Sequence, residues 1–117
     1  MSQKLIGVVG PCGSGKSTLV SKLIQLGYRA RHIAQEHSYV PTMWQKITNP
    51  DTLVFLDASY KTTSQRRNLT WTLDEFNDQQ ARLLHAKEHA NLYLRTDALT
   101  PEQVREAVIL YIDKFSA

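Results

Sequence analysis

Eight consecutive residues, Gly10-Pro11-Cys12-Gly13-Ser14-Gly15-Lys16-Ser17, match the phosphate-binding pattern G-x-x-x-x-G-K-[ST] in full. Each residue type has a reason to be there. Glycines let the backbone curl until successive N–H groups point inward at an anion. Lys16 supplies a mobile positive charge for the β- and γ-phosphates of a nucleotide, and the Ser17 hydroxyl is a ligand for Mg2+. Thr18 carries the run into a helix whose N-terminal dipole favours the same anion. Gly10, Pro11, Cys12, Gly13, Ser14, Gly15, Lys16, Ser17 and Thr18 are therefore the candidate phosphate contacts.

Other residues with usable chemistry lie further along the chain. Glu36 is either a general base toward a hydroxyl, a ligand of metal-bound water, or a surface acid. His37 offers a second base. Asp57 follows an apolar run and either organises Mg2+, directly or through water, or caps the next turn. Arg66 and Arg67 suit the charge that spreads over a moving phosphoryl group, and the alternative is a solvated basic face. Thr96, Asp97 and Ala98 follow the last strand and can line a nucleotide base. Arg82 and Arg95 read as surface residues, and His85 and His89, four apart with no third ligand nearby, as an exposed helix face. Cys12 is the one cysteine, so no intrachain disulfide forms. A helix N-terminus lowers thiol pKa and opens a redox role, although a small residue that fits the loop explains Cys12 as well.

These residues need elements to position them. Lys4-Leu5-Ile6-Gly7-Val8-Val9 is an apolar, β-branched run, as a buried parallel strand requires. Leu19, Val20, Leu23, Ile24 and Leu26 give the next segment an apolar helical face, and Gly27 is a natural helix stop. A more polar strand over residues 29–34 suits a sheet edge. Pro41 can open a short helix carrying Met43, Trp44 and Ile47, and Asn49-Pro50-Asp51 is a turn. Residues 52–57 are apolar enough for a central strand. Helices are expected over 61–68 and 74–89, the second with Phe76, Leu83, Leu84 and Ala90 on one side, and a strand over 91–96. Thr100-Pro101-Glu102-Gln103 is a helix start, with Thr as N-cap, Pro first and Gln third, before a stripe of Val104, Val108, Tyr111, Ile112 and Phe115.

Strands that alternate with helices imply an α/β domain: a four-stranded parallel sheet with helices on both faces. Ligands of such sheets bind outside the C-terminal strand ends. Gly10, Gln35-Glu36, Asp57-Ala58-Ser59 and Thr96-Asp97 should then converge on one crevice. The expected strand order is 2-1-3-4; the order 2-3-1-4 is the alternative and makes Asp57 the metal-organising carboxylate.

Composition sets the class. The 117 residues suffice for one domain over 1–117, with 42% apolar and 21% charged residues. A net charge of +3 is too small and too evenly spread for a nucleic-acid or membrane-surface protein. The longest apolar stretches fall short of the ~20 residues of a membrane span. The start Met1-Ser2-Gln3-Lys4 leaves no room for a signal peptide, and with one cysteine a reducing, cytoplasmic setting is expected. The oligomeric state is open, a homo-oligomer included.

With these residues in place the chain resembles P-loop nucleoside triphosphatases, in particular the branch of adenylate, shikimate, gluconate and adenylylsulfate kinases. The points of resemblance are residues 10–18, the strand Leu53-Val54-Phe55-Leu56-Asp57 followed by Arg66-Arg67, and the end from Asn91 to Val104. The resemblance implies ATP and Mg2+ as cofactors, arginines that contact phosphates and a final strand-loop-helix against the adenine. Such kinases have five strands and a longer acceptor region, whereas this chain has room for four, a trimmed core. If residues 53–57 match the strand before the lid, Glu36 rather than Asp57 is the surviving acidic group. There is no Asn-Lys-x-Asp run, so ATP is favoured over GTP. The expected function is ATP-dependent phosphoryl transfer to an unidentified small molecule. The alternatives are a nucleotide-binding regulator or slow NTPase without an acceptor site, and a module completed by another chain.

Overall fold

The computed structural model describes residues 4–67 and 70–115, the Arg67 side chain excepted. Strands β1 (Leu5–Val9), β2 (Arg29–His32), β3 (Thr52–Asp57) and β4 (Leu92–Arg95) form one all-parallel sheet in the order β2-β1-β3-β4. This is the 2-1-3-4 order expected from the alternation of elements. Helices α1 (Lys16–Gln25), α2 (Tyr60–Arg67), α3 (Leu73–His89) and α4 (Pro101–Phe115) make the crossovers with two short turns, a 3-10 turn at Gln35–His37 and a π turn at Trp44–Thr48.

Alternation along each strand builds two cores. On one face Ile6, Val8, Val54 and Leu56 pack against Leu19, Val20 and Leu23 of α1 and Val104 and Val108 of α4. On the other, Val9, Leu53 and Phe55 meet Leu83 and Ala86 of α3 and the Trp44 ring. β3 is buried along its whole length, which is why its sequence is an apolar run and not an alternating one. Fully burying such a side chain contributes about 1.5–3 kcal/mol.

The apolar stripes are narrower than the sequence suggests. Ile24 on α1 and Leu26 just after it are more than half exposed. On α3 the buried positions are Gln79, Leu83 and Ala86, while Leu84 faces solvent. Gln79 occupies an inward position because its amide is used there. Val104 and Val108 of α4 are buried but Phe115 is exposed. The 15-residue α4 runs about 22 Å and outreaches the four-residue β4 that it follows. The region after Pro41 forms a π turn that buries Trp44, leaves Ile47 exposed and ends at Asn49 in the left-handed region.

Local signals set the helix starts. Thr100 accepts from the Gln103 N–H at 3.1 Å and Gln103 Oε1 accepts from the Thr100 N–H at 2.8 Å, the reciprocal cap expected before Pro101. Thr72 and Glu75 make the same box before α3, one residue earlier than the sequence reading placed that helix. Among the described residues no helix is long and apolar enough to cross a membrane.

Candidate functional site

Parallel pairing places the C-terminal ends of the strands side by side: Val8 lies opposite His32, Val9 opposite Phe55 and Asp57 opposite Arg95. The glycine-rich segment leaves β1 at this edge, and Gly10 is required there by close approach. A Cβ on Gly10 would lie 2.0 Å from the Leu56 carbonyl oxygen and 2.8 Å from Ser14 Oγ. Gly15 precedes α1 with φ of 101°, and no side chain caps that helix. The N–H groups of its first turn are therefore open to an anion.

Beside the loop is a cavity of about 530 Å³, lined by residues 12–19, His32, Glu36, His37, Arg66, Thr96, Leu99, Pro101 and Val104. It has two chemical ends. Leu99, Pro101 and Val104 form an apolar wall at the start of α4, while the loop, Lys16, Glu36 and Arg66 make the charged part.

Lys16 is held inside. Its ammonium lies 2.8 Å from Glu36 Oε2 and donates to the carbonyls of Gly10 at 2.7 Å and Pro11 at 3.0 Å. The two charged side chains are 5% and 3% exposed, so each compensates a charge the other could not bury alone. Among the described residues, Ser14 Oγ and Glu36 Oε1 are buried without a hydrogen-bond partner. Glu36 is positioned from behind: the 3-10 turn that carries it is braced by Arg82, which donates to the Glu36 carbonyl at 3.2 Å. Arg82 is thus half-buried rather than a free surface residue, with its guanidinium over the Tyr39 ring. Gln35, fully buried, ties the same turn to the Val40 and Arg82 carbonyls and accepts from the Trp44 N–H at 2.9 Å.

Arg66 reaches the cavity from α2. It donates to Thr96 Oγ1 at 2.8 Å and to the Thr96 carbonyl. It also lies 3.4 Å from the Gly13 carbonyl. The Thr96 hydroxyl donates in turn to the Ser14 carbonyl at 3.0 Å, with the Asp57 carbonyl at 3.2 Å as second acceptor. Thr96 thereby joins the ends of β3 and β4 to the loop. The Arg67 side chain lies outside the described residues.

Asp57 is placed elsewhere. Its carboxylate accepts from the Ala58 N–H at 2.9 Å, Gln80 Nε2 at 3.1 Å and the Tyr93 hydroxyl at 2.6 Å, with Lys87 at 3.9 Å. It does not line the cavity. Of the two roles open to Asp57 in the sequence, this geometry is that of a turn cap. Burial and the Asp57 hydrogen bond push the Tyr93 phenol up to about 12. Asp97 and Ala98 do not line the cavity either. Asp97 accepts from the Ser59 N–H at 3.0 Å and pairs with Arg95. Burial raises its pKa, but hydrogen bonds from Thr62 and Ser59 and the Arg95 charge outweigh this and hold it well below the usual carboxylate range.

Several residues in or around the cavity carried no functional signal of their own in the sequence. His32 lines it from the edge strand; burial and then the Lys16 charge lower its pKa, which favours the neutral imidazole. Gln79 of α3 holds Cys12, accepting from its N–H at 3.0 Å and donating to its sulfur at 3.2 Å. Pro101 and Val104 were read as helix start and core and also form the apolar wall. His85, expected on an exposed face, is half-buried and accepts from Trp44 Nε1 at 3.1 Å through Nδ1. Neither a protein-family model nor a curated protein sequence matches this chain.

Proposed function

We propose that the cavity binds Mg-ATP and that the chain is an ATP-dependent phosphotransferase of the P-loop type, acting on a small hydroxyl-bearing acceptor. The observation that carries this reading is the convergence of the uncapped α1 start, Lys16, Arg66 and Glu36 on one cavity with an apolar far wall. The loop amides and Lys16 hold the phosphates, and Leu99, Pro101 and Val104 face the base. A polyphosphate that draws Lys16 away leaves Glu36, itself 2% exposed, beside further negative charge. Such a carboxylate requires a cation or a proton as a new partner. Glu36 and the Ser17 hydroxyl, both lining the cavity, are oxygen ligands that would suit Mg2+, which when bound supplies charge neutralisation at the phosphates.

The chain's own residues then act as follows. Lys16 leaves Glu36 for the phosphates, which frees the carboxylate to accept the acceptor's hydroxyl proton. The acceptor oxygen forms a bond to the γ-phosphorus as the bridging P–O bond breaks, and ADP departs with that electron pair. Arg66, anchored on Thr96 and lining the cavity, is the cation we assign to the charge that develops on the moving group. Slow hydrolysis without an acceptor is the second reading, and the locked Asp57 favours it, because one carboxylate is left to serve both metal and proton.

The test is a panel of small hydroxyl and phosphate compounds with Mg-ATP, followed by ADP release, beside calorimetric ATP binding. Acceptor-dependent ADP release supports transfer. ADP release of equal rate with every compound moves the assignment to hydrolysis, and absence of ATP binding overturns both readings.

A further inference from the structure

At the mouth of the cavity three groups from distant parts of the sequence face one another. Cys12 comes from the loop after β1, and Glu36 and His37 come from the turn after β2. One ligating atom from each lies within 4.8 Å of the other two. Cys12 Sγ is 3.6 Å from His37 Nε2, and Glu36 Oε2 is 3.8 Å from the same nitrogen. We propose that Cys12, Glu36 and His37 form a binding site for a thiophilic divalent cation, Zn2+ by its chemistry.

The Cys12–His37 distance suits two ligands of one metal ion. Tetrahedral zinc, with Zn–S near 2.3 Å and Zn–N near 2.0 Å, separates its sulfur and nitrogen ligands by about 3.5 Å. The observed Cys12–His37 separation of 3.6 Å meets that geometry, while Glu36 Oε2, 3.8 Å from His37 Nε2, must close by about 0.5 Å to share the same ion. An independent observation comes from Glu36. Its Oε2 faces both His37 and Lys16, while its Oε1 is buried without a hydrogen-bond partner among the described residues, so the carboxylate has ligating capacity to spare. The set of one thiolate, one imidazole and one carboxylate selects zinc over Mg2+, which takes hard oxygen ligands. His37 is exposed, which leaves a fourth position for water and a path of entry.

Outer contacts are also in place. Gln79 donates its amide to the Cys12 sulfur at 3.2 Å and is fixed by accepting from the Cys12 N–H. Arg82 holds the Glu36 carbonyl. Such partners orient ligands before the metal arrives. Binding deprotonates the thiol and releases that proton to water. The site stands on these residues alone and does not depend on a nucleotide occupying the cavity.

The test uses the whole chain in chelator-free, reducing buffer without nucleotide. Co2+ is added and followed by visible and near-ultraviolet absorption, and Zn2+ is titrated by calorimetry. The expected result is one metal per chain with a thiolate-to-cobalt charge-transfer band. That band disappears in Cys12→Ser, and Zn2+ affinity falls at least tenfold in Cys12→Ser and in His37→Ala. Because His37 is exposed, His37→Ala tests the site without disturbing the core. His85→Ala is the control and leaves both readouts unchanged. A wild-type chain with no thiolate band, or Zn2+ affinity that His37→Ala does not alter, overturns the proposal.

Discussion

The Lys16 ammonium and the Glu36 carboxylate meet at 2.8 Å, both almost fully buried. β1 and β2 are adjacent parallel strands, so the residues that follow them, 20 positions apart in sequence, share one edge of the sheet. On the proposed reading, a bound polyphosphate rearranges this pair. Removing one partner should therefore be costly in two separate measurements. Lys16→Ala should weaken ATP binding at least tenfold, because a point charge at a desolvated phosphate is lost. In ligand-free urea unfolding it should cost about 3 kcal/mol or more, since Glu36 is left buried and unpaired, and adding Glu36→Gln should recover part of that loss. Additive stability effects in the double variant would remove the pair from the account.

Glu36→Gln alone separates the roles of that carboxylate. If it takes the acceptor's proton, turnover falls by about 10²-fold or more with ATP affinity changed only a few-fold. The substitution also removes the negative charge that a metal-free polyphosphate would meet. Metal-free ATP should then bind the variant at least as tightly as the wild type, and the gain in affinity on adding Mg2+ should shrink. Calorimetry with and without Mg2+ checks this; an undiminished Mg2+ effect would show that Glu36 is not near the metal.

Asp57→Asn should behave in the opposite way. The Asp57 carboxylate accepts from Ala58, Gln80 and Tyr93 outside the cavity. An amide cannot accept at both positions, so a charged hydrogen bond is lost at a cost of about 1–3 kcal/mol. ATP affinity and its Mg2+ dependence should stay within a few-fold of the wild type. A selective loss of Mg-ATP binding over metal-free ATP binding would restore Asp57 as the metal-organising group.

Much of this was legible in the sequence. Strand order followed from reading residues 52–57 as a central strand, and the start of α4 followed from the Thr100-Pro101-Glu102-Gln103 chemistry. The meeting of Lys16, Ser17 and Glu36 followed from the rule that strand ends share an edge, and that of Arg66 from an element able to fold over the site, whereas Asp57, expected in the same crevice, does not line it. What stayed hidden was tertiary. Nothing in the spacing of Asp57 reveals that Tyr93 and Gln80 close over it, because they lie 36 and 23 residues away and are brought there by the pairing of β4 with β3 and the packing of α3. The Cys12–His37 contact is invisible for the same reason: metal-ligand spacing is a local signal, and this cluster is assembled by strand pairing. Gln79 occupies an inward helical position where a polar residue looks misplaced until its partner Cys12 is seen.

Acid stability should depend on Asp97. Its pKa is held well below the ordinary range, chiefly by Thr62 and Ser59 against the opposing effect of burial. A depressed carboxylate stabilises the fold above its unfolded pKa and loses that contribution as pH falls below about 4. The difference in Tm between wild type and Asp97→Asn should therefore be largest near neutral pH and shrink steadily on acidification. A difference independent of pH would assign the effect to packing and not to charge.

Arg66 closes the cavity from α2 through contacts with Thr96, and its position tests whether the site is built for transfer or only for binding. Its side chain is anchored but the residue is exposed, so Arg66→Ala should change unfolding free energy by less than about 1 kcal/mol. ATP affinity should change only a few-fold, because the proposed reading gives most of the phosphate binding to the loop amides and Lys16. A guanidinium that stabilises charge only in the transition state behaves differently: its removal should lower turnover by about 10³-fold. The same variant should lose affinity for ADP with aluminium fluoride, a mimic of the phosphoryl group in flight, far more than for ATP. Arg66→Lys should not restore that affinity, since one ammonium cannot hold both Thr96 and the moving group as a planar fork can. Equal losses for ATP and for the mimic would make Arg66 an anchor for Thr96, and would leave the cavity a nucleotide-binding site without a transfer device.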